Sequence, residues 1–524
     1  MSFKDVLHNA LRRRNVDDLI RMSQNTDLKK TLGIFDLIIL GIGAVVGTGI
    51  FSIIGIAIKG GAESIGAGPA ICVSMILAAV PCVFSALCYS EIASMIPVAG
   101  SAYTYTYAAM GELAAWMVGW ILMLEYAISN ITVASAWCGY CVQLLKGFSH
   151  VLPSWVVNFP LWLRTDYITM SHMCEKYGWN MHDKIPYLFD KIPVCMNLPA
   201  IFIVFVITWM LLKGVKESAK FASIMVSINI FMILTFVVVG SLYVKPENWT
   251  PFAPNGFEGV FMGAFLIFFA YIGFDAISTT AEEVKNPQRD LPIGILGTLV
   301  ICTVLYVLVA LVLTGVVPLN SIDTSAPLAH AMSFIHQDWF AGFISLAALC
   351  GLTSVLLIYQ LGTTRILYAM SRDNFLPRGW RMVNRRTRIP EFLTWLSAFV
   401  VIFGALFMDL SISAELCNFG TFTSFIIICV AVLILRKTEP NRKRPFKVPF
   451  SPLFPWLGIL SCGALMVYSL KSLTTSALLF PLWLFAGFMI YVMYGYNKKR
   501  HEKFKQSTFR DIDIEKDIEE IVNR

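Results

Sequence analysis

Long apolar runs alternate with short polar or basic stretches over most of the chain. About twenty apolar residues of helix are needed to cross a bilayer core. Twelve runs meet that length, over 34–58, 67–89, 112–145, 197–213, 219–244, 256–279, 292–317, 339–369, 390–409, 413–436, 451–472 and 477–496. The third and eighth are long enough to project beyond a bilayer. The pattern predicts an all-α membrane protein with an arm over 1–32, a twelve-helix domain over 33–496 and a tail over 497–524. The arm suits a short amphipathic helix, and the tail turns from basic to acidic, as in a solvated helix or an extension without fixed structure. One large polar insert, 146–196, separates the third and fourth runs and holds Trp155, Trp162 and Trp179. It reads equally as a lid or as a neutral spacer.

Two runs are interrupted. The first contains Gly41, Gly43, Gly47 and Gly49, and each glycine costs a helix about 1 kcal/mol relative to alanine. The sixth contains Gly273 followed by Asp275. Irregular backbone survives at membrane depth only where protein buries it or where it lines a cavity. Interruptions at corresponding places in two halves point to a secondary transporter's binding site. Runs 1–5 and 6–10 each begin with a broken helix, and five is odd, so the two units form an inverted repeat with runs 11 and 12 outside it.

Charge and composition sharpen the class. The chain is 57% hydrophobic and 14% charged, which excludes an ordinary soluble enzyme and a disordered protein. The net charge of +7 does not indicate nucleic acid, because the basic residues fall in alternate loops. Lys213, Lys216 and Lys220 follow run four, seven arginines lie from Arg365 to Arg388, and Arg436, Lys437, Arg442, Lys443, Arg444 and Lys447 follow run ten. The stretches 318–340 and 409–417 have neither Lys nor Arg. The positive-inside rule then puts both termini in the cytoplasm of a cell-membrane protein, plasma or bacterial inner. Residues 1–33 show no cleavable signal peptide, so run one serves as its own insertion signal. The twelve cysteines have no metal-ligand spacing. Cys174 and Cys195 share the outward insert, where a disulfide between them is open.

A helix broken at mid-membrane exposes two dipole ends. Past the first break, free N–H groups at Val45, Thr48 and Gly49, with the Thr48 hydroxyl, would seat a carboxylate. At the second break, the carbonyls of Phe269, Ala270 and Ile272 would accept from an ammonium. Together these describe an α-amino acid site. The competing reading is close helix packing through small residues, which Gly43-x-x-x-Gly47 also fits. Phe269 and Tyr271 are candidate gates. Ionisable groups inside a run are functional candidates. Asp275 would hold the half-helix, titrate or meet the substrate amine. Glu125, without a cation nearby in sequence, is either a proton carrier or a neutral structural carboxyl. For Asn229, interhelical hydrogen bonding is the plainer reading.

At these residues the chain resembles the amino acid–polyamine–organocation superfamily, and within it the cationic amino acid transporter family. The stretches 41–51, 90–107, 271–292 and 368–373 carry the resemblance, which runs from about residue 28 to 496. It implies the fold shared with the sodium-coupled leucine transporter, alternating access and an amino acid substrate, and it supports both seats. Proton-coupled bacterial members have a lysine in span five where this chain has Asn229, as animal facilitators do. Thr353 and Ser354 resemble the hydroxyl pair that helps bind sodium in the leucine transporter. The resulting order is pH-insensitive uniport or exchange, then proton coupling through Glu125, then sodium coupling. Members that take arginine have a small residue where Tyr359 stands, so neutral or small substrates are expected over cationic ones.

An amino acid sensor and a channel are the other classes. The short tail and the lack of polar rings argue against them. No phosphate-binding loop, metal cluster or nucleophile with a partner histidine marks an enzyme, and no cofactor or nucleic acid partner is expected. Whether a small accessory membrane subunit binds is not readable from the chain.

Overall fold

The computed structural model describes residues 13–495, apart from 18, 21–29, 31, 62–63, 99, 148–151, 158–159, 189–191, 194, 214, 374, 385–388 and 471–474. The tail and most of the arm lie outside the described residues. Those described are nearly all helical. A pair of two-residue strands, Tyr187–Leu188 and Ile192–Pro193, interrupts the insert.

Among the described residues nine helices are long and apolar enough to cross a membrane, and a tenth candidate is a bent pair, Ile34–Val45 with Gly49–Lys59, at 43°. Leu198–Lys213 and Glu391–Phe407 are apolar but have only 16 and 17 residues. At 1.5 Å per residue they rise about 25 Å, a little under a bilayer core. The run numbers are kept below as span labels. Spans 3 (Glu112–Gly147) and 8 (Asp338–Arg372), at 36 and 35 residues, are the longest, as the pattern predicts.

Local chemistry sets several starts. Pro287 occupies the first turn of span 7, Pro287–Val316, where a missing N–H costs nothing. Asp409 caps span 10, Leu410–Thr438, through its carboxylate. Span 3 packs along spans 8 and 10, and span 2 (Gly68–Met95) along span 7, enclosing the broken first and sixth spans. Span 6, Gly256–Glu283, is the most enclosed of the nine, with 94% of its apolar window buried, whereas span 5 over Phe221–Ser241 has 28%. Broken backbone belongs inside a bundle, whereas an unbroken apolar helix can face lipid with most of its surface.

The end of the bundle that bears the basic loops is pinned by charge. Arg14 in the arm bonds Asp373 at 3.1 Å, and Tyr103 donates to the other oxygen of that carboxylate at 2.7 Å. Arg442 meets Asp17 at 2.8 Å. Glu91, 2% exposed at the end of span 2, accepts from Arg436 Nε at 2.9 Å and from the Val448 N–H at 2.7 Å, with Arg444 Nε at 3.3 Å. At the opposite end, the insert carries the helix Tyr167–Tyr177 and a small core of Met170, Cys174, Ile185 and Cys195. Cys174 and Cys195 share that core as free thiols.

Candidate functional site

The two interruptions meet. Span 1 stops at Val45, Val46 is extended, and the helix resumes at Gly49 as a wide π turn over Gly49–Ile53. Span 6 runs as α-helix over Gly256–Ile267, tightens over Phe268–Tyr271, extends at Ile272, turns at Gly273 and continues as 3₁₀ helix over Phe274–Glu283. Gly273 has φ +119°, a conformation that other L residues rarely adopt. A Cβ on Gly49 would overlap the Cα and Cβ of Ala270, and one on Gly273 would lie 2.7 Å from the Ala44 carbonyl. The backbones of the two breaks are therefore in contact.

The glycines of span 1 face different neighbours. Added Cβ atoms would strike Thr298 and Ile277 from Gly41, Val226 from Gly43, Val355 from Gly47 and Ala270 from Gly49. Close packing thus accounts for each glycine singly, and the break accounts for the path of the backbone between Val46 and Gly49. The two readings of the glycine run describe the same helix.

Thr48 is 1% exposed, and its hydroxyl has no hydrogen-bond partner among the described residues. It sits at the restart of a half-helix, where the first N–H groups have no intrahelical acceptor. The carbonyls are less free than the sequence suggests. Tyr306 of span 7 points its hydroxyl at the carbonyls of both Val45 and Ala270, 2.9 Å from each. Asn229 donates to the Val46 carbonyl at 3.2 Å, and Tyr359 to that of Ile272 at 3.1 Å. The Phe269 carbonyl accepts the Ile272 N–H at 3.3 Å, and Asn418 of span 10 donates to that of Phe265 at 2.6 Å. Each carbonyl keeps a second lone pair. Tyr271, a candidate gate, donates to the Met75 carbonyl at 3.0 Å, which commits its ring to packing between spans 2 and 7. Phe269 is buried at the turn.

Asp275 lies just past the second break, 2% exposed, and accepts from the Tyr126 hydroxyl at 3.3 Å. The Tyr126 ring meets that of Tyr359 edge-on at 5.5 Å. Glu125, beside Tyr126 on span 3, is also 2% exposed, and its Oε2 has no hydrogen-bond partner among the described residues. Neither carboxyl has an ion-pair partner among those residues. Ser129 and Cys417 touch at 3.0 Å next to them.

The proposed cation pair is divided. Thr353 donates to the Leu349 carbonyl and accepts from Trp137 of span 3 at 3.1 Å, whereas Ser354 is fully buried and bonds the Gly351 carbonyl. The Asn229 amide lies against Gly351, where a Cβ would overlap it, and its Oδ1 has no partner among the described residues. No three His, Cys, Asp or Glu side chains there gather as a metal site requires.

Asn229, Asp275 and Tyr359 thus stand at the breaks. Tyr306, Tyr126 and Asn418 join them without having been singled out. Each is a polar residue inside an apolar run, and that was the available signal. Tyr306 yields a direct test. One hydroxyl hydrogen serves two helix-end carbonyls, so Tyr306→Phe leaves both without that donor. A neutral hydrogen bond is worth about 1 kcal/mol net. The variant is expected to keep its expression and lose about 5-fold in transport affinity, measured as the half-saturation concentration for uptake.

A family model described as amino acid permease matches residues 32–494. The chain belongs to this family. It is 40% identical to a methylthioribose transporter of Bacillus subtilis, over 93% of this chain and 98% of that protein. A branched-chain amino acid permease of the same organism is 39% identical, over 95% and 99%. A vacuolar cationic amino acid transporter of Arabidopsis thaliana is 34% identical, over 83% of this chain and 64% of its own length. With nine long apolar helices among its described residues, this permease-family chain is a multi-pass membrane protein, and the family is one of permeases rather than enzymes.

Proposed function

We propose that the chain is a secondary transporter that moves L-amino acids across the cell membrane by alternating access. It does so with twelve crossings, an inverted repeat of spans 1–5 and 6–10, and both termini in the cytoplasm. The observation that carries this reading is the contact of two broken helices at Gly49 and Ala270, beside an unpartnered Thr48 hydroxyl. The substrate carboxylate sits on the restart of span 1, against the N–H groups of Thr48 and Gly49; Val45, expected beside them, instead closes the half-helix before the break, with its carbonyl held by Tyr306. The substrate ammonium takes the second lone pairs of the Phe269, Ala270 and Ile272 carbonyls.

Uniport or exchange insensitive to pH is the favoured mode. Asn229 cannot titrate, and its amide is engaged with the Val46 carbonyl. Proton coupling is the second reading, favoured by the Glu125 Oε2 that lacks a partner beside Asp275. Uptake into proteoliposomes separates them. Labelled alanine, isoleucine, arginine and methylthioribose are offered with proton and sodium gradients imposed in turn. Equilibration indifferent to both gradients supports the facilitator, and accumulation driven by protons makes Glu125 the carrier. Uptake of none of the amino acids overturns the proposal.

Tyr359 limits the length of the side chain accepted. Its ring is 3% exposed, and its hydroxyl is fixed on the Ile272 carbonyl. Tyr359→Ser is expected to admit longer side chains, raising arginine uptake relative to alanine by about 10-fold, the scale set by 1–3 kcal/mol of pocket discrimination. An unchanged ratio removes Tyr359 from the pocket.

A further inference from the structure

The insert meets the bundle at three side chains that take no part in the site above. Helix Tyr167–Tyr177 begins at Asp166, whose Oδ1 accepts the Thr169 N–H at 2.8 Å. Span 10 begins at Asp409, whose Oδ2 accepts the Ser411 N–H at 3.0 Å. The other oxygen of each capping carboxyl turns to one shared atom. Thr169 Oγ1 lies 2.7 Å from Asp166 Oδ2 and 3.0 Å from Asp409 Oδ1. A threonine hydroxyl has a single hydrogen. Shared between two carboxylates, that hydrogen satisfies neither fully, and a proton on one carboxyl supplies the second hydrogen bond. With both carboxyls ionised, two like charges would face each other across one hydroxyl, Asp166 only 5% exposed and Asp409 half-buried. Like charges sharing a site disfavour the doubly ionised form. We propose that Asp166, Thr169 and Asp409 form a one-proton binding site that docks the insert on the start of span 10, and that loss of the proton releases it.

The surroundings favour the protonated form. The ionisable groups that face Asp166 are the thiols of Cys138 on span 3 and Cys195 ahead of span 4, together with Asp409. Arg164, on the same loop, is half-buried, and its carbonyl takes the Cys138 thiol at 3.4 Å. Span 9, which packs on the helix, has no charged residue between Phe392 and Phe407. Burial, opposed by the bonds from Thr169 and reinforced by the Asp409 charge, lifts the Asp166 carboxyl from 3.8 to about 6. The docked carboxyl therefore holds its proton more tightly than the released one. Docking is strongest below the ordinary value, weakens as pH rises toward about 6 and is level above it. Span 10 also carries Asn418, which holds the Phe265 carbonyl ahead of the second break, so release of the insert acts on a helix that touches the site.

Backbone hydrogen exchange of 167–177, in the full-length protein in lipid nanodiscs and corrected for intrinsic rates, tests this. Protection is expected to fall by about 100-fold between about pH 4 and about pH 7, the ratio that two pKa units set. Asp166→Asn and Asp409→Asn supply a non-titrating N–H at the contact and should hold the helix protected at both pH values. Thr169→Val should leave it weakly protected at both. His172→Gln, which removes the histidine of that helix, should keep the wild-type profile. Equal protection at both pH values in the wild type overturns the proposal. So does a wild-type profile in both asparagine variants, or its loss in His172→Gln.

Discussion

Gly49→Val is expected to abolish amino acid uptake into proteoliposomes. The glycine restarts span 1 at the point where that span touches span 6, and even a single Cβ there would overlap the Ala270 backbone. Valine must push the two breaks apart. That removes the N–H groups of Thr48 and Gly49 from any carboxylate held against the Ala270 and Ile272 carbonyls. Hydrogen bonds to a charged group are worth about 1.5–3 kcal/mol each, so losing two raises the half-saturation concentration by at least about 100-fold. Gly463→Val is the control. Nothing lies within 4 Å of a Cβ at that position in span 11, and uptake there should match wild type. Thr48→Val guards against a folding defect, because it exchanges an unpartnered buried hydroxyl for a methyl of similar size. It should leave thermal stability unchanged or higher while weakening uptake about 10-fold, the value of one lost bond. Normal uptake by Gly49→Val places the carboxylate seat elsewhere.

Glu91→Ala is expected to produce the largest loss of stability. The carboxylate is 2% exposed and holds Arg436, Arg444 and the Val448 N–H together, joining span 2 to span 10 and the loop after it. Removing one partner of a buried pair leaves the other charges uncompensated and costs about 3–5 kcal/mol. The lower end applies here, because the Arg436 side chain remains 27% exposed and regains some water. Thermal unfolding of the purified variant in detergent measures the effect, and a cycle with Arg436→Ala isolates the coupling. The double variant should be more stable than the two single losses added together predict. Strict additivity would mean that the pair contributes nothing beyond its separate contacts.

The two experiments address features of different legibility. The break at Gly47–Gly49 is visible in the chain because glycine acts locally. It weakens a helix wherever it stands, and four in nine residues leave few other readings. The turn at Gly273 is visible for the same reason. Glu91 was read only as part of a longer motif, because its partners Arg436 and Arg444 lie some 345 residues away and nothing local marks them. The division of Thr353 from Ser354 was likewise hidden. Neighbouring residues on a helix point about 100° apart, and only the position of Trp137 decides which hydroxyl meets span 3.

The ammonium seat shows the same boundary from within the site. The chain predicts that carbonyls are left free where span 6 stops being helical, and the structure has the break there. The chain says nothing of Tyr306, and of Tyr359 only that it limits substrate size; they arrive from spans 7 and 8 to occupy the Ala270 and Ile272 carbonyls.

The sequence by itself determined the apolar runs, where two of them break and which ends of the chain's loops are basic. Those properties depend on composition and on backbone preferences acting over a few residues. Tertiary structure alone decided that each glycine of span 1 meets a different neighbour, that the two breaks touch, and that a single tyrosine hydroxyl bridges them. Those are contacts between segments distant in sequence, set by how helices pack, and no local preference encodes them.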